Sequence, residues 1–208
     1  MCGFAGEFLF GPGTDGAGRG GADVALARRM ARAVAHRGPD EQAEYLSPDG
    51  RCAIGFHRLA VIDPQGSHQP MTTADGKVTV AFNGEIYNFR DLRKGLEAEG
   101  CAFATLGDTE VLLHLYRQRG TDVVDALEGM FAFVIYDSQA GRLVLARDRL
   151  GQKPLWYAVL ADRIAFGSES GSLLRHPGVD RSLDPGSLAA YMTIGYIPCP
   201  RSAWGGVR

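Results

Sequence analysis

The chain has 208 residues, enough for one large domain or two small ones with a substantial buried core. Its apolar fraction of 45% and charged fraction of 22% are those of an ordinary soluble globular protein. The net charge of −2 gives no electrostatic reason to expect nucleic acid or an anionic membrane as a partner.

The cysteines form no CxxC pair and no ordered set with histidines, so the sequence predicts no zinc site. No export signal precedes the first strand, and no apolar run reaches the ~20 residues that a membrane-spanning helix needs. We therefore expect free thiols in a reducing compartment, and a cytoplasmic protein. The four residues are Cys2, Cys52, Cys101 and Cys199.

The first half of the chain predicts a strand, a loop, a helix and then short strands. Cys2 to Phe10 is predicted as a strand, and the glycine-rich stretch from Gly11 to Gly21 as a surface loop. Asp23 is the expected N-cap of a helix that ends before Gly38 and Pro39. Three β-favouring runs follow, over Cys52 to Phe56, Leu59 to Ile62 and Lys77 to Phe82.

The second half predicts two helices, a run of antiparallel strands and further helix. Asn88 is expected to cap a helix over Arg90 to Glu99, and Asp108 or Thr109 to begin the next. A helix over Pro185 to Tyr196 precedes a stretch without periodicity that suits a linker or a docking strand. This order predicts helices packed outside antiparallel sheets. The strands are Met130 to Tyr136, Arg142 to Ala146, Leu155 to Leu160 and Arg163 to Gly167.

Cys2 is the first candidate for chemistry, because removal of Met1 would place a thiol and a free α-amine on the same residue. An unperturbed α-amine has a pKa of ~7.7–8, so part of it is an unprotonated base at neutral pH. That amine can accept the thiol proton directly or through one water, without a separate histidine. Position alone is weak support, since a cysteine in second place is more often incidental.

The segment FNGEIYN, residues 82–88, offers two donors for a developing negative charge. Acyl transfer through a thiolate forms a tetrahedral oxyanion that needs preorganised hydrogen-bond donors. Asn83 supplies a side-chain amide, and Gly84 a backbone N–H without a side chain beside it. A type I′ hairpin turn is the competing interpretation, and it is favoured for an isolated Asn-Gly pair.

Two charged residues indicate that the ligand is an amino acid. The planar guanidinium of Arg58 suits bidentate pairing with a carboxylate, and a surface salt bridge is its structural alternative. Asp108 suits an ammonium group, and a helix N-cap is its alternative. The segment RDRLGQKPL, residues 147–155, is interpreted as a structural charge network near the site.

Seven separated blocks together resemble the N-terminal glutaminase domain of glutamine-dependent asparagine synthetase, a class II glutamine amidotransferase. The resemblance covers nearly the whole chain, and HRGPDE favours the asparagine synthetase branch over the phosphoribosylamine and glucosamine-phosphate amidotransferases. It implies the α+β fold of the N-terminal nucleophile (Ntn) hydrolases, a four-layer αββα sandwich with two antiparallel sheets. The blocks are MCGFAGEF, HRGPDE, HRLAVID, FNGEIYNF, GDTEV, EGMFAFVIYD and RDRLGQKPL.

The resemblance implies catalytic roles for three matched residues. Cys2 would attack the side-chain carbonyl of L-glutamine, giving a γ-glutamyl thioester and ammonia, and water would then release glutamate. Asn83 and Gly84 would form the oxyanion hole.

Substrate recognition is implied for the remaining matched residues. Arg58 would hold the α-carboxylate of glutamine, and Asp108 and Glu85 would hold its α-ammonium group. Backbone groups of the segment after Arg58 would help to bind the carboxylate: Leu59, Ala60, Val61 and Ile62.

We assign residues 2–183 to the glutaminase domain and residues 184–208 to the start of a linker. In this family an ATP-dependent synthetase domain follows and activates an acceptor carboxylate. The resemblance implies ATP and Mg²⁺ for that domain only, and no cofactor or metal for the glutaminase. We expect the synthetase as a partner, in a longer chain or as a separate protein, and consider a homodimer; no nucleic acid or membrane partner is expected.

Three functions stay open from the sequence. The leading hypothesis is glutamine hydrolysis that feeds ammonia to asparagine biosynthesis. The second keeps the glutaminase but changes the acceptor, as in peptide- or β-lactam-type synthetase relatives. The third is a catalytically silent scaffold domain, which the intact Cys2 disfavours.

Overall fold

The computed structural model describes residues 1–11 and 20–208, so most of the predicted glycine-rich loop lies outside the described residues. Five α-helices occur in these ranges, and 3-10 segments continue the first and third. The helices are α1 (Val24–Ala31), α2 (Phe89–Ala98), α3 (Asp108–Arg119), α4 (Ser170–Leu173) and α5 (Pro185–Ile194). The strands are β1 (Gly3–Leu9), β2 (Glu41–Leu46), β3 (Cys52–Arg58), β4 (Met71–Thr72), β5 (Val78–Ile86), β6 (Gly129–Asp137), β7 (Arg142–Arg147), β8 (Trp156–Val159) and β9 (Arg163–Gly167).

Two antiparallel sheets form the centre of the molecule. The first has the strand order β2-β3-β1-β9-β8, and the second has the order β4-β5-β6-β7. An apolar cluster that includes Phe4, Phe56 and Tyr136 fills the space between the sheets. Further clusters pack α1 and α4 on the first sheet, and α2 and α3 on the second. The result is the four-layer αββα sandwich that the sequence predicted.

Side-chain alternation along β5 decides which residues face the first sheet. Val80 and Phe82 belong to the cluster beneath α3, whereas Ala81 belongs to the cluster between the sheets. Successive side chains of a strand point to opposite faces, so Asn83 lies on the same face as Ala81. Cys2 packs against that same inter-sheet cluster from the start of β1. The fold therefore brings two of the three predicted catalytic residues, Cys2 and Asn83, to one side of the second sheet.

Most predicted elements are confirmed, including the cap of α1, where the Asp23 carboxylate accepts the N–H groups of Ala25 and Leu26. The predicted strand over Leu59 to Ile62 is wrong, because this segment is a loop. Asn88 is the N-cap residue of α2, as predicted, but its side chain makes no capping hydrogen bond. Its amide donates to the carbonyl of Ala126 and accepts the N–H of Glu128, and so ties α2 to the segment before β6.

The end of the chain folds back on the first sheet. Tyr157 and Arg208 exchange two backbone hydrogen bonds of 2.8 and 2.9 Å, and Val207 is fully buried. The preceding helix α5 exposes several large apolar side chains, among them Tyr191 and Met192. No helix in the described ranges is long and apolar enough to cross a bilayer. The division at residue 184 stays a prediction.

Candidate active site

A cavity of about 120 Å³ lies at the junction of the start of β1, the loop after β3, the end of β5 and the start of α3. It is lined by nine of the ten residues that the sequence analysis named: Cys2, Arg58, Leu59, Val61, Ile62, Asn83, Gly84, Glu85 and Asp108. Ala60 is absent from the lining, and its N–H donates to the Asp40 carboxylate at 2.8 Å. That bond fixes the loop which supplies the neighbouring lining residues.

The thiol of Cys2 is held against the loop after β3. Its Sγ accepts the N–H of Leu59 at 3.4 Å and lies 3.6 Å from the Leu59 carbonyl oxygen. Burial raises the pKa of the Cys2 thiol, although the Leu59 N–H opposes this shift. The neutral thiol therefore dominates near pH 7, and nucleophilic attack requires a base that removes its proton.

In the chain that carries Met1, the α-amine lies one residue before Cys2, and its surroundings alter its pKa. Burial lowers the pKa of the Met1 amine, and the positive charges of Arg37 and Lys153 lower it further. Arg37 also donates to the Cys2 carbonyl oxygen at 3.0 Å, which orients the backbone of the nucleophile. The net direction favours the neutral form of the Met1 amine, although Cys2 and Asp40 oppose the shift.

Asn83 is buried, yet neither its amide nitrogen nor its oxygen has a hydrogen-bond partner within the described part of the chain. The hairpin-turn alternative is wrong, because β5 continues through Asn83 and Gly84, which pair with Ala132 and Phe131 of β6. Strand pairing overrides the local turn preference of Asn-Gly. A buried amide without partners costs ~1–3 kcal/mol, so its presence beside a cavity indicates a ligand that satisfies it.

Gly84 is required by the close approach of the neighbouring strand. A Cβ atom at this position would lie 2.2 Å from the Met130 carbonyl oxygen and 2.7 Å from the Phe131 Cα atom. Both are backbone atoms of β6 and have no rotamer that relieves the clash. A glycine here thus keeps β5 paired with β6 at the point where the strand enters the cavity.

The guanidinium of Arg58 is buried, so the surface salt bridge is the wrong alternative. It pairs with Glu41 at 3.2 Å and donates to the carbonyl oxygens of Pro64 and Asp63, both at 2.9 Å. These bonds use three of the five guanidinium N–H donors. Among the described residues, the Nε hydrogen and one terminal hydrogen are left for a ligand.

The N-cap alternative for Asp108 is wrong, because Gly107 occupies the N-cap position of α3. The Asp108 carboxylate is almost fully buried and accepts the N–H of Ile86 at 3.1 Å. Burial raises its pKa to about 6, and the negative charge of Glu85 adds to the shift. Within the described ranges, no cationic side chain lies within 4.0 Å of this carboxylate, which therefore suits an incoming ammonium group.

Sequence reasoning missed Asp63, which shapes the loop beside the cavity. Asp63 has a left-handed φ of 47°, and its carboxylate accepts the N–H groups of Gly66 at 3.1 Å and Leu106 at 2.8 Å. Aspartate tolerates this backbone region better than most residues. The turn signal Asp-Pro-Gln-Gly, residues 63–66, could have identified it.

Lys153 lines the cavity but was not assigned to the site from the sequence. It belongs to the segment that the sequence analysis treated as a structural charge network. In the described part of the chain, no group of three or more His, Cys, Asp or Glu side chains is arranged to hold a metal ion.

The structure places the Cys2 thiol and the buried Asn83 amide at one cavity between two antiparallel sheets. The family model described as a glutamine amidotransferase domain matches residues 1–208, and the chain belongs to this family. A solved structure of glutamine phosphoribosylpyrophosphate amidotransferase from Bacillus subtilis has the same fold. Its TM-score is 0.65 at 22% identity, over 83% of this chain and 43% of that one.

Two curated relatives are named as asparagine synthetases, one of them putative. The chain is 38% identical over 200 residues to asparagine synthetase [glutamine-hydrolyzing] 1 of Bacillus subtilis, covering 96% of this chain and 30% of the relative. It is 40% identical over 220 residues to a putative asparagine synthetase [glutamine-hydrolyzing] of Mycobacterium bovis, covering 100% and 33%. The chain thus spans about a third of the length of the curated relatives that it matches.

Proposed function

We propose that this domain hydrolyses L-glutamine to glutamate and ammonia through a thioester on Cys2. The observation that carries the proposal is the content of one cavity. A thiol, an unpartnered buried amide, a buried guanidinium with free donors and a buried carboxylate line it together, on Cys2, Asn83, Arg58 and Asp108. These groups match, one for one, the nucleophile, the oxyanion donor and the two charged ends of an amino acid.

The α-carboxylate of glutamine would bind the two free N–H donors of Arg58. Their fork geometry supports bidentate pairing. Backbone groups of the lining residues Leu59, Val61 and Ile62 would complete this subsite, whereas the Ala60 N–H is bonded to Asp40. The α-ammonium group would bind Asp108, whose raised pKa reflects the cost of a buried negative charge without a cation. Glu85, which also lines the cavity, adds negative charge at the same end.

The reaction begins after removal of Met1, when the Cys2 α-amine accepts the thiol proton. The sulfur attacks the side-chain carbonyl carbon, and the resulting oxyanion is stabilised by the Asn83 amide and the Gly84 N–H. The carbon–nitrogen bond then breaks, and the nitrogen leaves as ammonia with the proton from the Cys2 α-ammonium group. Water attacks the thioester, the carbon–sulfur bond breaks, and glutamate and the free thiol are released.

We further propose that the ammonia serves an asparagine synthetase-type domain of the same protein or of a partner. The names and lengths of the relatives support this proposal, since the matched region is about a third of each. ATP and Mg²⁺ would act in that synthetase domain, and no described residue is assigned to them. The exposed apolar side chains of α5 are compatible with a surface that another domain covers.

The proposal is tested by glutamate release from L-glutamine, with intact mass showing whether Met1 is absent. Wild type and Cys199→Ala, which removes an exposed thiol, should release glutamate at equal rates, whereas Cys2→Ala should release none. Release of glutamate by Cys2→Ala would exclude the thioester mechanism. No release by wild type that lacks Met1 would instead support the silent scaffold.

A further inference from the structure

The loop between β7 and β8 is built around one carboxylate and holds Lys153 in a fixed place. The Asp148 carboxylate accepts the N–H groups of Phe131 at 3.2 Å, Gln152 at 2.9 Å and Lys153 at 2.9 Å. The Arg147 guanidinium donates to the Lys153 carbonyl oxygen at 2.8 Å. Both backbone polar groups of Lys153 are thus hydrogen-bonded. The charge network predicted for this segment therefore also fixes the backbone from which the Lys153 side chain reaches the cavity.

The side chain of Lys153 is buried and lines the cavity of Cys2. Its Nζ atom donates to the Met1 sulfur at 3.0 Å, and across the described ranges no carboxylate lies within 4.0 Å of it. A thioether is a weak hydrogen-bond acceptor. A buried ammonium group without an anionic partner is unfavourable, so a purely structural role explains Lys153 poorly.

The other cations near Cys2 already have anionic partners. Arg37 pairs with Glu169 at 2.7 Å, and Arg58 pairs with Glu41 at 3.2 Å. Among the described cations that line the cavity or bond to Cys2, Lys153 is therefore the one without a carboxylate partner.

The nearby carboxylates belong to three other segments. Asp40 is bound by the Ala60 N–H, and Asp108 by the Ile86 N–H, whereas Glu85 lines the cavity from β5. In the chain that carries Met1, Cys2 and Asp40 raise the pKa of the Met1 amine, whereas Lys153 lowers it. The positive charge of Lys153 is thus one of several charges near Cys2. Its removal by substitution should change the pKa of the Cys2 α-amine by a measurable amount.

We propose that Lys153 is a positioning residue whose ammonium group, once Met1 has been removed, faces the space beside Cys2 and keeps the Cys2 α-amine in its neutral, basic form. The inference rests on the proposed function, because it concerns the base of that reaction. Lys153 transfers no proton in this scheme. Its positive charge disfavours a second positive charge on the amine, so the proton moves from the thiol to an amine that is free to accept it.

The test is the pH dependence of kcat/KM for glutamine in Lys153→Met, Lys153→Arg and wild type. Loss of the positive charge raises the pKa of the amine, so the acidic limb of Lys153→Met should move to higher pH by roughly 0.5–1 unit. Lys153→Arg keeps the charge and should keep the limb. Lys94→Met removes an exposed lysine of α2 and should match wild type. Intact mass and thermal unfolding establish that each variant lacks Met1 and is folded.

A second measurement separates this inference from the glutaminase proposal. The rate of Cys2 alkylation by iodoacetamide against pH reports the thiolate without any glutamine. Lys153→Met should shift this profile to higher pH, whereas Lys153→Arg should not. If alkylation and turnover profiles are both unchanged in Lys153→Met, the inference is wrong. If Lys153→Met does not fold, the same comparison is made with Lys153→Gln.

Discussion

At the scale of single residues, Asn83 combines a cost to the stability of the folded domain with a proposed role in catalysis. Its two buried polar atoms have no partner within the described ranges, so the folded domain retains an unfavourable desolvation that a bound oxyanion would offset.

Asn83→Ala should therefore lower kcat by ~10²–10³ while leaving the free energy of unfolding unchanged or slightly higher. Replacement by alanine removes both unpartnered atoms along with the oxyanion donor. Steady-state glutamate release and urea unfolding measure the two quantities on the same preparation. A marked loss of stability with unchanged kcat would show that Asn83 is structural.

Asp108 gives a second residue-scale prediction, because its pKa of about 6 lies above the ordinary value of 3.8. The folded protein then binds a proton more tightly than the unfolded chain. This makes the ionised carboxylate destabilising: the penalty is absent below pH 3.8, grows as the pH rises towards 6, and is complete above 6. At neutral pH, Asp108→Asn should raise the free energy of unfolding by about 1–3 kcal/mol.

The same substitution should weaken glutamine binding, because the neutral asparagine side chain cannot form an ion pair with the α-ammonium group. KM should rise roughly 10²-fold. In wild type, KM should increase as the pH falls below about 6, where Asp108 becomes protonated. A pH-independent KM in wild type, or an Asp108→Asn protein with normal KM, would contradict this role.

At the scale of elements, the loop after β3 is held by long-range side-chain bonds rather than by strand pairing. Cys2 contacts Leu59, Asp40 binds the N–H of Ala60, and Arg58 binds the carbonyl oxygens of Asp63 and Pro64. These bonds hold the loop where Leu59, Val61 and Ile62 line the cavity.

Asp63→Ala should loosen this loop, because it removes the acceptor for Gly66 and Leu106. We expect the free energy of unfolding to fall by about 1–2 kcal/mol. KM for glutamine should rise roughly tenfold, with a smaller change in kcat. Asp91→Ala removes an exposed carboxylate of α2 and serves as the control. An equal effect of the two substitutions on KM would argue against a role for Asp63.

The local sequence predicted most helices and strands, but it could not predict this loop. Leu59 to Ile62 is apolar and partly β-branched, as in a strand, and only the distant Asp40 and Cys2 redirect its hydrogen bonds. The hairpin turn favoured by the isolated Asn-Gly pair is absent for the same reason. Pairing of β5 with β6 outweighs the local turn preference of these two residues. The family resemblance named residues that line the cavity, whereas Lys153 was recognised only because the fold places it beside Met1.

At the scale of the whole molecule, the two sheets bring side chains from distant parts of the chain to one cavity. The first sheet carries Cys2 at the start of β1, and the second carries Asn83 on the face of β5 that points towards it. Helix α3 adds Asp108 from the outer layer. The site thus depends on the packing of the layers, which explains why no local segment of the sequence is sufficient to define it.

The most direct test of the central claim is the intact mass of the protein after acid quenching during turnover of L-glutamine. The account predicts a chain without Met1 that carries an added mass equal to glutamine minus ammonia, located by peptide mapping on Cys2. An adduct on another residue, or glutamine hydrolysis by a chain that retains Met1, would contradict it.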